Sequence, residues 1–230
     1  GIRRFVRFRS AIQKFARSLS SRLNALISDA RIGVFGGSFD PPHIGHAIVA
    51  KDLLEQLHLD RLLVIPAGLP PHRSVALPAS VRLDLTRQMF YDLAPIEVTD
   101  LEQGLLKPSY TIDTLQALVS RFPDSQLILV MGADQFSVVD TWKDFEKLPE
   151  LAEIAVMCRG GDEPMRSAGT AEIEYTVVDV TRIDVSSSQV RQRLREGRSI
   201  RFLVPDSILQ SIERAWTEHV LKQISESAST

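Results

Sequence analysis

The run Ile32 to Leu57, IGVFGGSFDPPHIGHAIVAKDLLEQL, decides the reading of this chain. Ile32 to Phe35 is a short apolar stretch of strand character, Gly36 to His46 is a turn rich in glycine and proline, and Ala47 to Leu57 repeats its apolar residues at helical spacing. Strand, glycine turn and helix in that order make an anion site, because Gly36 and Gly37 bring backbone near a ligand while the helix start offers free amides and its positive dipole end. His43 and His46 stand three residues apart, so both imidazoles can reach one phosphate. Alone, a double glycine is an ordinary tight connection and a histidine an ordinary satisfied polar residue. Here Gly36, Gly37, Ser38, Phe39, the Pro41–Pro42 pair and the HIGH tetrapeptide all fall within one β-to-α connection, where α/β sheets bind ligands.

GGSFDPPHIGH resembles the opening motif of the nucleotidyltransferase superfamily marked by HxGH, and within it the nicotinate mononucleotide adenylyltransferase family. Further motifs of that family follow in order: PPHR ending at Arg73, PSYTIDTL from Pro108 to Leu115, GADQF from Gly132 to Phe136, Thr141–Trp142, VSSSQVR from Val185 to Arg191, and FLVPDSI from Phe202 to Ile208. The resemblance covers about Arg31 to Leu221. It implies a Rossmann-like fold and transfer of the adenylyl group of ATP to nicotinate mononucleotide, with magnesium accompanying ATP. Two departures stand out: Arg73 where the family carries lysine, and Phe202 where it often carries tyrosine.

The rest of the chain alternates strands and helices. Strands are expected at 32–35, 62–65, 96–98, 127–131, 154–158 and 175–178, and helices near 45–57, 80–92, 109–121, 186–196 and 206–222. This spacing predicts an α/β fold, a doubly wound and mostly parallel sheet with a C-terminal helical portion and ligands at the strand C-termini. Gly160 to Gly169 reads as a mobile surface loop.

Composition agrees with one enzyme domain over residues 31–230: the 230-residue chain is 44% apolar, enough to bury a sizeable core, with no apolar run of membrane-spanning length. A cytoplasmic protein is expected; the sequence leaves the oligomeric state open, a homo-oligomer included. The single cysteine, Cys158, excludes an internal disulfide and reads as a core thiol, and no Cys/His cluster suggests a structural metal. The net charge of −2 does not itself point to nucleic acid, and none is expected as partner. It conceals an asymmetry, since residues 1–28 carry seven basic and no acidic side chains and the remainder a net −9. Phe5, Phe8, Ile12, Phe15, Leu19, Leu23 and Leu26 give the first 30 residues an amphipathic helical pattern. This extension reads as an accessory helix or tail, as an organellar presequence, or as a membrane-surface or partner contact.

A second polar group, Ser186 to Ser188 with Arg191, opens a helix. One serine there is an ordinary N-cap; three exceed that need, and Arg191 one turn on offers a planar fork to phosphate oxygens. The resemblance makes Ser187, Ser188 and Arg191 triphosphate contacts opposite HxGH, and assigns His43 and His46 to the transferring phosphate. Acceptor phosphate is already an anion, so its attack on the α-phosphorus of ATP requires positioning and charge neutralisation rather than a general base. GxSxG, a cysteine nucleophile set beside histidine and a Walker-type loop are all absent.

Gly132 allows close backbone approach after the fourth strand, and Asp134 either caps a helix or accepts from ribose hydroxyls. Trp142 is either packing near Phe136 and Phe145 or, as the resemblance implies, a stacking face for the pyridine ring. Tyr110 and Thr111 correspond to the segment receiving the nicotinate carboxylate, where amide donors favour acid over amide. His72 and Arg73 are implied acceptor contacts, and Arg159 reads as a solvated arginine. The remaining alternatives are other HxGH enzymes, such as pantetheine phosphate adenylyltransferase, and a nucleotide-binding regulator without turnover.

Overall fold

The computed structural model describes residues 30–71, 74–104, 108–161, 164–166, 168–170 and 172–227. Strands β1 (Arg31–Gly37), β2 (Arg61–Pro66), β3 (Ile96–Val98), β4 (Gln126–Gly132), β5 (Glu153–Cys158) and β6 (Thr176–Asp179) form one sheet in the order β3-β2-β1-β4-β5-β6. Every neighbouring pair in it is parallel. Helices α1 (Ile44–Gln56), α2 (Ala79–Met89), α3 (Thr111–Arg121), α6 (Ser187–Arg195) and α7 (Asp206–Ser227) cover its faces, with the one-turn helices α4 (Ala133–Phe136) and α5 (Leu148–Leu151) between β4 and β5.

Strand parity divides the core in two. Phe35, Leu62, Val64, Ile128 and Val130 point to the face covered by α1, α2 and the C-terminal helices, where Leu53, Leu85, Val190, Ile208 and Ile212 are buried. Ile32, Val34, Leu63, Ile65, Leu127 and Leu129 point to the other, covered by Ile112, Leu115 and Leu118 of α3. Alternation on a sheet buried on both sides yields the continuous apolar runs seen in the sequence. Cys158 is buried in the second core, as expected of a core thiol.

Strand order reverses at β1, whose neighbours are β2 and β4. The crevice beyond the carboxyl ends of these central strands is therefore the topological switch point, and the connections leaving β1 and β4 border it. The expected elements are present, with ends shifted by no more than five residues. α4 and α5 are not among the helices expected from periodicity, because one helical turn carries none. No helix among the described residues is long and apolar enough to cross a membrane. The expected basic extension falls almost wholly within residues 1–29, and His72 and Arg73 with it lie outside the described residues, as does part of the loop after Gly160.

Candidate active site

The connection from β1 to α1 is a tight turn in which Phe39 takes a left-handed backbone (φ 47°) with its ring buried. A bulky residue in that region is uncommon and persists only where its surroundings hold it. The holding contacts are Phe35, edge-on at 5.7 Å between centroids, and His46 at 4.8 Å. Phe39 is expected among the ATP contacts; the residue is 1% exposed and its side chain packs on His46, which leaves its backbone for such a contact. A Cβ placed on Gly36 would enter open space, so the turn is uncovered on that side.

His43 is the N-cap of α1 and His46 its third residue, and their rings lie 3.8 Å apart, tilted by 36°. The His43 amide donates to His46 Nδ1 at 3.1 Å. This fixes the neutral tautomer of His46: Nδ1 accepts, and Nε2 carries the hydrogen. The His46 amide goes to the His43 carbonyl at 2.9 Å, and His43 Nδ1 is buried without a hydrogen-bond partner. Burial, helped by the positive charge of Arg159, pushes the His43 pKa down to about 4. Burial and the adjacent His43 hold His46 well below its usual value. Both imidazoles are therefore neutral at pH 7 in the ligand-free protein.

The serine cluster meets the same turn. Ser186 caps α6, its Oγ accepting from the Gln189 amide at 3.2 Å, which leaves its two neighbours other partners. Ser187 Oγ donates to the Pro41 carbonyl at 2.8 Å. Arg191 donates to the Asp40 carbonyl, lies 3.4 Å from the Asp40 carboxylate and reaches Ser188 Oγ at 3.2 Å. A guanidinium has five donors, so these contacts do not exhaust it. The Ile44 amide donates to the Leu203 carbonyl at 2.9 Å, closing the C-terminal segment over the start of α1. A cleft of about 380 Å³ adjoins α6, lined by Arg159, Ile183, Asp184, Val185, Ser186 and Gln189. Arg159 is exposed, as read from the sequence, and from the border of this cleft its charge acts on His43.

At the carboxyl end of β4, which pairs with β5 two residues before Arg159, Gly132 is the N-cap of α4 and Asp134 is its exposed second residue, so the capping alternative for Asp134 does not hold. Gln135 Nε2 donates to the Asp134 carboxylate at 3.2 Å. Tyr110 is the N-cap of α3 and Thr111 its first residue. Trp142 is half-buried against the second core. Lys143 joins these segments, with its ammonium 2.9 Å from Asp113 and 5.0 Å from the Tyr110 ring centre. The α3 amino end, whose first amides have no intrahelical acceptor, therefore lies near Trp142. Phe202, in the tyrosine position, is 81% exposed with φ 68°.

Asp40, Arg82, Glu102 and Lys143 went unnoticed in the sequence. An aspartate before a Pro-Pro pair is the one signal among them, since such a carboxylate readily accepts from nearby backbone. Among the described residues no group of three or more His, Cys, Asp or Glu side chains could hold a metal ion.

Residues 34–193 match the cytidylyltransferase-like family model. A protein of Exiguobacterium sibiricum named "Probable nicotinate-nucleotide adenylyltransferase" is 40% identical over 184 residues, 80% of this chain and 96% of its own length. One of Thermus thermophilus with the same name is also 40% identical, over 80% of this chain and 97% of its own. Among solved structures, Plasmodium falciparum nicotinic acid mononucleotide adenylyltransferase complexed with NaAD superposes with a TM-score of 0.67 at 18% identity, covering 80% of this chain and 95% of that one, a likeness of fold. The chain belongs to the cytidylyltransferase-like nucleotidyltransferases and, within them, to the nicotinate-nucleotide adenylyltransferase family.

Proposed function

We propose that this protein transfers the adenylyl group of ATP to nicotinate mononucleotide, forming deamido-NAD and releasing pyrophosphate, a step of NAD biosynthesis. The observation that carries the reading is the meeting of two phosphate-binding elements on one turn: the paired imidazoles of His43 and His46, and the Ser187–Arg191 face of α6, which contacts Asp40 and Pro41. The family relatives support the choice of acceptor.

In this reading the triphosphate lies between the turn and α6, against His43, His46, Ser188 and Arg191, with the nucleoside toward the cleft beside Arg159. Gly36, Gly37 and Ser38 form the backbone floor, and Gly132 and Asp134 border the ribose. An acceptor phosphate oxygen bonds to the α-phosphorus as the bond to the β-phosphate bridging oxygen breaks, and that electron pair leaves with pyrophosphate. No proton has to be removed from the nucleophile. Negative charge develops on the transferring group and the leaving oxygen, where His46 Nε2–H, imidazole His43 and guanidinium Arg191 supply donors. Magnesium would come with ATP and would offset the charge of its phosphates. Trp142 stacks on the pyridine ring, and the α3 amino end at Tyr110 and Thr111 receives the carboxylate, with His72 and Arg73 as further acceptor contacts.

Pyrophosphate release from ATP and magnesium, followed with nicotinate mononucleotide and then nicotinamide mononucleotide, tests the proposal. The acid should react and the amide respond weakly, because a carboxylate only accepts where a carboxamide presents N–H to the same donors. Equal rates would contradict the assigned acceptor end.

A further inference from the structure

Arg82, the fourth residue of α2, has 0% exposure. A guanidinium in the interior is tolerated only where its donors and charge are answered. Its Nε donates to the Leu77 carbonyl at 3.1 Å, one terminal nitrogen to Ser38 at 2.7 Å and the other to Gly68 at 2.9 Å. Burial works against its charge, and Asp40 and Glu102 work for it.

These three carbonyls belong to different parts of the crevice. Ser38 is in the phosphate turn, whereas Gly68 and Leu77 lie toward the two ends of the Pro-rich connection after β2. Asp40 extends the link on the ATP side: its carboxylate accepts from the Ala76 and Leu77 amides at 2.7 and 2.9 Å and stands 3.4 Å from Arg191. Glu102 extends it on the acceptor side, accepting from Thr114 of α3 at 2.7 Å. Gly68 packs so closely that a Cβ there would come within 1.9 Å of the Glu102 carbonyl oxygen. The next residue, Leu69, exchanges contacts with Ser109, amide to Oγ at 3.3 Å and carbonyl to amide at 3.0 Å. A chain of polar contacts thus runs from Arg191 to Asp40, through Leu77 to Arg82, and on through Gly68 and Leu69 to Ser109, with Glu102 and Thr114 beside its far end, so that it links the two proposed substrate regions.

We propose that Arg82 is a positioning residue for adenylyl transfer, setting the phosphate turn and the Ser109–Thr111 segment in one register so that the acceptor phosphate meets the α-phosphorus in line. The inference rests on the function proposed above and assigns Arg82 no contact with substrate. Loss of register by about 1 Å is enough to lower a two-substrate reaction by on the order of 100-fold while each substrate still binds its own half.

The test compares Arg82→Met and Arg82→Lys with the wild-type protein by melting temperature, kcat and both KM values, and by nicotinate mononucleotide affinity with and without a non-reacting ATP analogue. Folded Arg82→Met should lose about 100-fold in kcat with both KM values within about threefold. Any help that the analogue gives acceptor binding should fall with it. Arg82→Lys should recover little, since one ammonium cannot span three fixed carbonyls. A folded Arg82→Met with wild-type kcat would overturn the inference, leaving a purely structural arginine. Thr114→Val and Glu102→Gln, which keep the arginine, cover the case of a variant that does not fold; each should lower kcat about tenfold at similar KM, and unchanged kcat in both overturns the inference. Activity of the wild-type protein on nicotinate mononucleotide is the control: its absence refutes the proposed function, whereas an active wild type with indifferent variants refutes only the role of Arg82.

Discussion

Hydrogen bonding and burial give the two imidazoles different parts. His46 has its tautomer set by the His43 amide, so that Nε2 is a donor held in place by Phe39. If its main contact is with the transition state, His46→Ala should lower kcat by about 10²–10³-fold, the range for a lost preorganised donor, with little change in the acceptor KM. A parallel loss of melting temperature and activity would make it structural. His43 is read through pH. In the unfolded chain its imidazole protonates near 6.5 and in the folded protein near 4, so the unfolded chain binds more protons between these values. Its contribution, on the order of 3 kcal/mol, is full above about pH 6.5 and fades as pH falls toward 4. Urea unfolding of His43→Gln should show a shallower acid decline than the parent, and an identical slope would contradict the buried neutral imidazole. Trp142→Ala should raise the acceptor KM about tenfold or more and leave ATP nearly untouched, the signature of a lost aromatic anchor. Unchanged acceptor affinity would return Trp142 to simple packing.

The elements themselves show why some of this was legible in the sequence. β1, its turn and α1 were readable because a short apolar run, two glycines and a 3.6-residue period sit next to one another. The serines that open α6 were readable as a cap plus something more. Only the coordinates divide the labour, with Ser186 capping and Ser187 tying the helix to Pro41. The two should be separable by mutation. Ser186→Ala should cost about 1 kcal/mol of stability with kcat little changed, because a cap acts on the helix alone. Ser187→Ala should cost about as much through its lost hydrogen bond and lower kcat as well, because it sets the distance between α6 and the turn. Identical kinetic effects would contradict that division. By contrast, Arg82 could not be picked out: between Val81 and Leu83, with Asp84 and Arg87 close by, it reads as an ordinary exposed helix charge. Its partners are backbone carbonyls 5 to 44 residues away in sequence, which no local pattern encodes.

At the scale of the whole molecule, the fold follows from strand and helix alternation, whereas the site follows from where the strand order reverses. Sequence spacing can predict a doubly wound sheet, but the order β3-β2-β1-β4-β5-β6 is a tertiary fact. It brings the turn after β1 beside the connection after β4, about 95 residues apart in the chain. The motifs quoted from the sequence thus gather at two regions, one beside α6 and one beside the amino end of α3, which the proposed function gives to the phosphates and the pyridine ring. The central claim is that these regions hold ATP and nicotinate mononucleotide together for transfer. Its most direct measurement is pyrophosphate release with ATP, magnesium and, in parallel, nicotinate mononucleotide, nicotinamide mononucleotide and phosphopantetheine, with the adenylylated product identified by mass. Rapid formation of deamido-NAD from the first, with little product from the other two, is the predicted result. Preferred adenylylation of phosphopantetheine, or tight ATP binding with no pyrophosphate from any acceptor, would contradict it.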